Sequence, residues 1–218
     1  MELAGFIDHT LLKPDTRGED IKKLCEEALA YHFAAVCVPP FYVKDAVNQL
    51  DETRVKVSTV VGFPFGYSTT SAKVEEIKRA LDEGANEVDV VVNIAAIKNG
   101  SWNYVQNDIA SMTTAVHLKG KQVKIILETG LMNDEEVERL CEICREVEPD
   151  FVKTSTGYNG SGATVETVKR LHQLLEGSPI KIKASGGIRS LADAQAMIEA
   201  GASRIGSSSG VHIMEELT

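Results

Sequence analysis

Along the chain, short runs rich in Val, Ile and Thr alternate with longer stretches in which apolar residues recur at helical spacing. Eight of the short runs read as strands, over 6–11, 34–38, 55–62, 87–93, 123–129, 151–156, 180–185 and 204–208. Several are almost continuously apolar, the pattern of parallel strands covered on both faces. The longer stretches read as eight helices. In the first, Ile21, Leu24, Cys25, Ala28 and Leu29 share one face, after Pro14-Asp15-Thr16 as a turn and candidate cap. In the third, Val74, Ile77 and Leu81 form the apolar stripe, and Glu75 stands four residues before Arg79 as a surface pair. The fifth opens on Asn133-Asp134-Glu135-Glu136 and the seventh on Ser190-Leu191-Ala192-Asp193, each a capping residue with an acid three positions on. The third and seventh end in Gly84-Ala85 and Gly201-Ala202, where glycine suits the left-handed position after a helix. That shared boundary is a weak internal repeat of βα units.

Eight βα units with short connections predict a (β/α)8 TIM barrel, one α/β domain over 1–218. A doubly wound open sheet is the competing architecture, but no G-x-G-x-x-G follows the first strand.

Composition narrows the partners. The 218 residues are 43% hydrophobic and 25% charged, with a formal net charge of −9, ordinary proportions for a globular domain. A chain of this length buries about 70% of its unfolded surface, so folding requires no disulfide or metal. The acidic balance sets aside nucleic acid, whose binding needs a basic stripe, and an anionic membrane surface. No window approaches the roughly 18 apolar residues of a membrane-spanning helix. The start, Met1-Glu2-Leu3, has an acid where a signal peptide needs a base, so the expected compartment is the cytoplasm. There Cys25, Cys37, Cys141 and Cys144 are expected as free thiols. Cys141 and Cys144 have the spacing of a redox or zinc pair, but they share a helical stripe with Val137 and Leu140 and read as core. The five histidines stand singly, so no metal site is expected. Trp102 reads as packing or a partner contact, and Met112, Met132, Met197 and Met214 as core or caps.

In this fold the site lies at the C-terminal ends of the strands. A charge inside a parallel strand is costly unless paired or functional. Three stand out: Asp89, Lys153 and Lys183. The two lysines fall on neighbouring strands. If both face the interior, their like charges disfavour protonation and one amine has a lowered pKa. A neutral amine adds to carbonyls, the requirement for Schiff-base chemistry. Asp89 is then available to balance charge and carry protons. The competing reading is an interior ion pair, or lysines that fill the barrel mouth. A second feature is the pair of turns Ser185-Gly186-Gly187-Ile188-Arg189 and Gly206-Ser207-Ser208-Ser209-Gly210, after the seventh and eighth strands. Phosphate sites recur there in this fold, and backbone amides of small residues at a helix start bind anions. Two ordinary turns are the alternative. Lys181 shares the face of Lys183 by alternation, so it either reaches out of the barrel bottom or precedes the strand.

These residues belong to an ordered set of motifs: Asp8-His9-Thr10-Leu11-Leu12-Lys13-Pro14, Val36-Cys37-Val38-Pro39-Pro40, Val61-Gly62-Phe63-Pro64-Phe65-Gly66, Glu87-Val88-Asp89-Val90-Val91, Phe151-Val152-Lys153-Thr154-Ser155-Thr156-Gly157, and the two turns above. Over nearly its whole length the chain resembles the deoxyribose-phosphate aldolases, a family of Schiff-base aldolases. The resemblance implies reversible cleavage of 2-deoxy-D-ribose 5-phosphate to acetaldehyde and D-glyceraldehyde 3-phosphate, in deoxyribose phosphate catabolism. It implies that Lys153 forms the Schiff base, that Lys183 lowers its pKa, and that Asp89 with Lys183 moves protons. It matches Asp8, Thr10 and Cys37 to the substrate pocket, and Gly157, Gly186, Gly187, Arg189, Gly206, Ser208 and Ser209 to the phosphate cradle. No cofactor and no metal are implied. The partners implied are a small sugar phosphate and an aldehyde, with no nucleic acid and no membrane, in a homodimer or homotetramer. The chain departs from some relatives in having Tyr158 where they have a lysine, Lys181 where they have a small residue, and no tyrosine in its last five residues. The alternatives are another Schiff-base sugar-phosphate aldolase on the same barrel, or a non-catalytic phosphate-binding barrel.

Overall fold

The computed structural model describes residues 3–217, so Met1, Glu2 and the final Thr218, on which the readings of the two termini partly rest, lie outside it. Its strands are β1 (Ile7–Thr10), β2 (Ala35–Val38), β3 (Lys56–Val61), β4 (Glu87–Val91), β5 (Gln122–Ile126), β6 (Phe151–Lys153), β7 (Lys181–Ser185) and β8 (Arg204–Ser207). They pair in chain order, all parallel, and β8 closes on β1. The helices are α1 (Gly18–Tyr31), α2 (Val43–Gln49), α3 (Thr70–Asp82), α4 (Ile94–Lys98), α5 (Trp102–His117), α6 (Asp134–Val147), α7 (Val165–Leu174), α8 (Leu191–Glu199) and α9 (Gly210–Glu215). This is the expected (β/α)8 barrel. Among the described residues no helix is long and apolar enough to cross a membrane.

Strand alternation explains the division of residues. Ile7, Val36, Val88, Val90, Ile125, Val152, Ile182 and Ile205 point outward into the hydrophobic core under the helices. Their neighbours in sequence, Asp8, Glu87, Asp89, Lys124, Lys153, Lys183 and Arg204, ion-pair with one another across the barrel interior. Register brings Asp89 beside Lys124, Lys153 beside Lys183, and Lys183 beside Arg204.

Local signals act largely as read. Asn133 caps α6 by accepting from Glu136 N at 2.8 Å, and Ser190 caps α8 by accepting from Asp193 N at 3.1 Å. Gly84 and Gly201 take φ of 106° and 113° after α3 and α8. All four cysteines are free and buried, and burial pushes the Cys141 thiol up to about 12 and the Cys144 thiol higher still. Met112 and Met197 lie in the core, with Trp102, Met132 and Met214 packed against it.

Other readings are corrected. Among the described residues there are nine α-helices rather than eight, because Asn93 leaves the fourth strand and caps the short α4, accepting from Ala96 N at 3.1 Å. The Pro14-Asp15-Thr16 segment is a turn, with Thr16 donating to the Lys13 carbonyl, but Arg17 occupies the cap of α1 and its N–H goes to Asp20. Glu75 pairs with Lys78, and Arg79 turns to Glu83. Strand five ends earlier than drawn, with Glu128 at a left-handed φ of 53° beyond Ile126, and strand six ends at Lys153. Lys181 opens β7 and is exposed at its start, with Nζ 5.7 Å from the Phe151 ring centroid, so it reaches out of the barrel bottom.

Candidate active site

The interior charges form one network. Asp89, fully buried on β4, accepts Lys153 Nζ at 2.9 Å and Lys183 Nζ at 2.7 Å on the same oxygen, Oδ2. Its other oxygen takes Lys124 Nζ at 2.8 Å and Ser58 Oγ at 3.2 Å. Asp8 contacts Lys183 and Arg204, and Glu87 contacts Lys124 and Arg204. Apart from the half-exposed Lys56, which reaches Glu87 from outside, three carboxylates face four cations.

These contacts decide the electrostatics. Burial raises a carboxyl pKa, but Lys124, Lys153 and Lys183 outweigh it and hold Asp89 well below the usual range. For Asp8, Lys183, Arg204 and Lys124 overcome burial and hold it at about 2. Burial alone drives Lys183 toward the neutral amine, yet Asp8 and Asp89 more than offset it and its pKa is raised. The sequence reading sets the two lysines together as like charges, with Asp89 available to balance them. Two carboxylates intervene, so Lys183 is a fixed cation. Both Nζ atoms lie within hydrogen-bond reach of one oxygen, so Lys153 stands directly beside that charge.

Above this layer opens a cavity of about 270 Å³, with Lys153 at its floor. Thr10, Gly157, Gly186, Gly187, Arg189, Gly206 and Ser208 line it, as do Lys13, Tyr158 and Ser185. The rim is tied together locally. Ser207 Oγ donates to the Ile188 carbonyl at 2.7 Å and accepts Ser209 N–H at 2.9 Å, joining the loops after β7 and β8. A Cβ at Gly186 would stand 2.9 Å from the Gly162 Cα, which only glycine tolerates at that loop crossing. Glu128, fully buried, accepts from Thr156 N at 3.0 Å, from the Thr156 hydroxyl and from Asn159 Nδ2 at 3.1 Å, fixing the loop that follows Lys153. Tyr158 OH crosses the mouth to the Leu12 carbonyl at 2.8 Å, with its ring edge-on to Phe63 at 5.3 Å.

Not every expected residue meets the cavity. Lys183, Asp89, Asp8 and Cys37 are buried beneath it. Asp8 faces Lys183 and Arg204 there, and burial raises the Cys37 thiol pKa. Ser209 lies in a neighbouring hollow with His9 and Glu27, and its N–H is taken by Ser207. Glu87, Lys124 and Arg204 were not among the expected site residues: Glu87 and Arg204 open their strands, away from the C-terminal ends, and Lys124 is the middle residue of β5. The charge of Lys124 in the apolar run 123–127 was the available signal. Among the described residues no three His, Cys, Asp or Glu side chains are grouped to hold a metal ion.

Comparison with known proteins agrees with this geometry. Residues 3–216 match the model of the DeoC/LacD family aldolases. A deoxyribose-phosphate aldolase of Caldanaerobacter subterraneus subsp. tengcongensis is 52% identical over 217 residues, covering 99% of this chain and 94% of the relative. One from Thermococcus gammatolerans is 50% identical, covering 99% and 96%. A tetrameric deoxyribose phosphate aldolase structure from Aeropyrum pernix superposes with a TM-score of 0.92 at 35% identity, covering 99% of this chain and 90% of that one. Motifs, closed barrel and paired interior lysines thus meet in one assignment: the chain belongs to the DeoC/LacD family of aldolases.

Proposed function

We propose that the protein catalyses the reversible cleavage of 2-deoxy-D-ribose 5-phosphate into acetaldehyde and D-glyceraldehyde 3-phosphate through a Schiff base on Lys153. The observation that carries this reading is the sharing of Asp89 Oδ2 by Lys153 and Lys183 at the floor of an open cavity. The lone pair of Lys153 Nζ adds to the C1 aldehyde of the open-chain sugar, and the carbinolamine loses water to give an iminium ion. Lys183, a fixed cation, donates a hydrogen bond to the departing hydroxyl, which leaves as water with a proton taken from solvent. Asp89 accepts the hydrogen bond of the iminium N–H. A base, Asp89 directly or through one water, takes the C3 hydroxyl proton. The C2–C3 electron pair moves into the iminium to form a neutral enamine, and C3 leaves as the aldehyde of glyceraldehyde 3-phosphate. Protonation at C2 and addition of water release acetaldehyde and restore the amine.

The phosphate is held at the rim, by the glycine and serine turns at Gly157, Gly186, Gly187, Gly206 and Ser208 and by the side chains of Arg189 and Lys13. That remote contact keeps C1 in register with Lys153. Thr10 lines the pocket. Asp8 acts through Lys183, and Ser209 through Ser207. No step calls on a metal or a cofactor. The protein works in the cytoplasm, degrading deoxyribose phosphates, as a homodimer or homotetramer; the tetrameric Aeropyrum pernix relative supports an assembly of this kind.

Borohydride reduction in the presence of acetaldehyde tests the reading. A reduced two-carbon adduct is expected on the peptide containing Lys153, and on no peptide of Lys153→Ala, whose turnover is abolished. An adduct elsewhere, or none, overturns the assignment.

A further inference from the structure

Ser185 ends β7, two residues beyond Lys183 and therefore on the same inward face. Its backbone is fixed from both sides: its N–H donates to Thr154 Oγ1 at 3.1 Å, and its carbonyl accepts Thr154 Oγ1 at 3.2 Å and Ala163 N–H at 3.0 Å. Its side chain is left out of this arrangement. Ser185 is 5% exposed, lines the cavity, and its Oγ has no hydrogen-bond partner among the described residues. A buried hydroxyl without a partner weakens a fold unless something completes it. On the adjacent strand β8, its register partner Gly206 keeps the space open. A Cβ there would stand 2.2 Å from Ser185 Oγ and 3.0 Å from Lys183 Cε. The hydroxyl thus sits beside the stem of Lys183, while the anion-binding turn begins at the next residue, Gly186. It stands between the level of Lys183, beside the amine proposed to form the Schiff base, and the turn proposed to hold the phosphate.

We infer that Ser185 Oγ is a specificity-determining contact for the carbon that bears a hydroxyl between those two ends. In the open-chain sugar this is the C4 hydroxyl, which is the C2 hydroxyl of the acceptor aldehyde in the synthetic direction. The inference rests on the aldolase reading above. It makes the site select a phosphorylated aldehyde that is hydroxylated next to its carbonyl over one that is not.

The test is the addition of acetaldehyde to D-glyceraldehyde 3-phosphate and to 3-phosphonooxypropanal, which lacks only that hydroxyl, with kcat/KM measured for each. The wild type is expected to prefer the hydroxylated acceptor. Ser185→Ala reduces that preference about three- to tenfold, the effect of one neutral hydrogen bond. Ser155→Ala is the control: Ser155 Oγ is also buried without a partner, but the residue does not line the cavity, and its loss keeps the ratio. A wild type without preference, an unchanged ratio in Ser185→Ala, or an equal fall in Ser155→Ala overturns the inference while the aldolase reading stands. Absence of addition product with either acceptor in the wild type overturns both.

Discussion

Lys73 and Lys183 are both fully buried, and each meets an aspartate. Lys73, on α3, reaches Asp108 of α5 at 2.8 Å and the Val91 carbonyl at 2.9 Å, and Thr70 Oγ1 donates to the second oxygen of Asp108 at 2.7 Å. One cation meets one anion outside the barrel, and each carboxylate oxygen has a donor. Inside the barrel, Lys183 shares Asp89 with Lys153 and Lys124, and the cations exceed the carboxylates by one. Of the four cations, Lys153 is the one that opens onto a cavity. A buried lysine with a partner is thus a structural clip by itself. In the proposed function it becomes a reaction centre where cations are in excess and one amine reaches a space that a substrate can enter.

The strongest way to break this contrast is to remove the shared carboxylate. Asp89→Asn leaves Lys124, Lys153 and Lys183 without their common anion. Loss of both its proton transfer and its hold on the amine is expected to lower kcat for deoxyribose 5-phosphate cleavage by up to about 10⁴-fold. Circular dichroism checks that the barrel persists. A folded variant with near-wild-type kcat would mean that the interior network is only scaffold.

Lys73→Met probes the other side. It leaves the Asp108 carboxylate buried and unpaired, which costs about 3–5 kcal/mol in comparable sites. Urea unfolding should record that loss, and Lys73→Met combined with Asp108→Leu should recover much of it. Per folded molecule, kcat should stay near wild type. If activity falls and stability does not, Lys73 belongs to the chemistry and the contrast fails.

The same contrast explains what could be read from residue order. The barrel was legible because strands of the type Val88-x-Val90 and Ile182-x-Ala184 present an apolar outer face, and because the caps at Asn133 and Ser190 are local signals. Asp89, Lys153 and Lys183 were legible because they interrupt apolar runs, Lys153 at the end of β6 and the other two in the middle of their strands. Their partners were not. Whether two lysines face one carboxylate or each other depends on register across β4, β6 and β7, and Arg204 lies 196 residues from the Asp8 that it contacts. Counter-ions of that kind keep Lys183 charged, where like-charge repulsion alone left open which of the two lysines has the lowered pKa. Lys73 illustrates the converse: it lies in an amphipathic helix, where a lysine reads as surface, and only packing against α5 buries it.

The smallest expected effect concerns Asp8, which fastens Lys183 on the side away from Lys153. Its carboxyl is held at about 2, against an ordinary value of 3.8. The folded protein therefore binds fewer protons than the unfolded chain between those values. The stabilisation is complete above about pH 4 and is lost as the pH falls toward 2, an amount on the order of 2 kcal/mol. In Asp8→Asn this component is absent. The variant should be less stable at pH 7, with Lys183 and Arg204 short of an anion, and should lose less stability than the wild type on acidification. Urea midpoints at pH 5, 4 and 3 should therefore converge. Parallel midpoints would mean that Asp8 is not the anion that keeps Lys183 charged, and that Lys183, like Lys73, is adequately served by one aspartate.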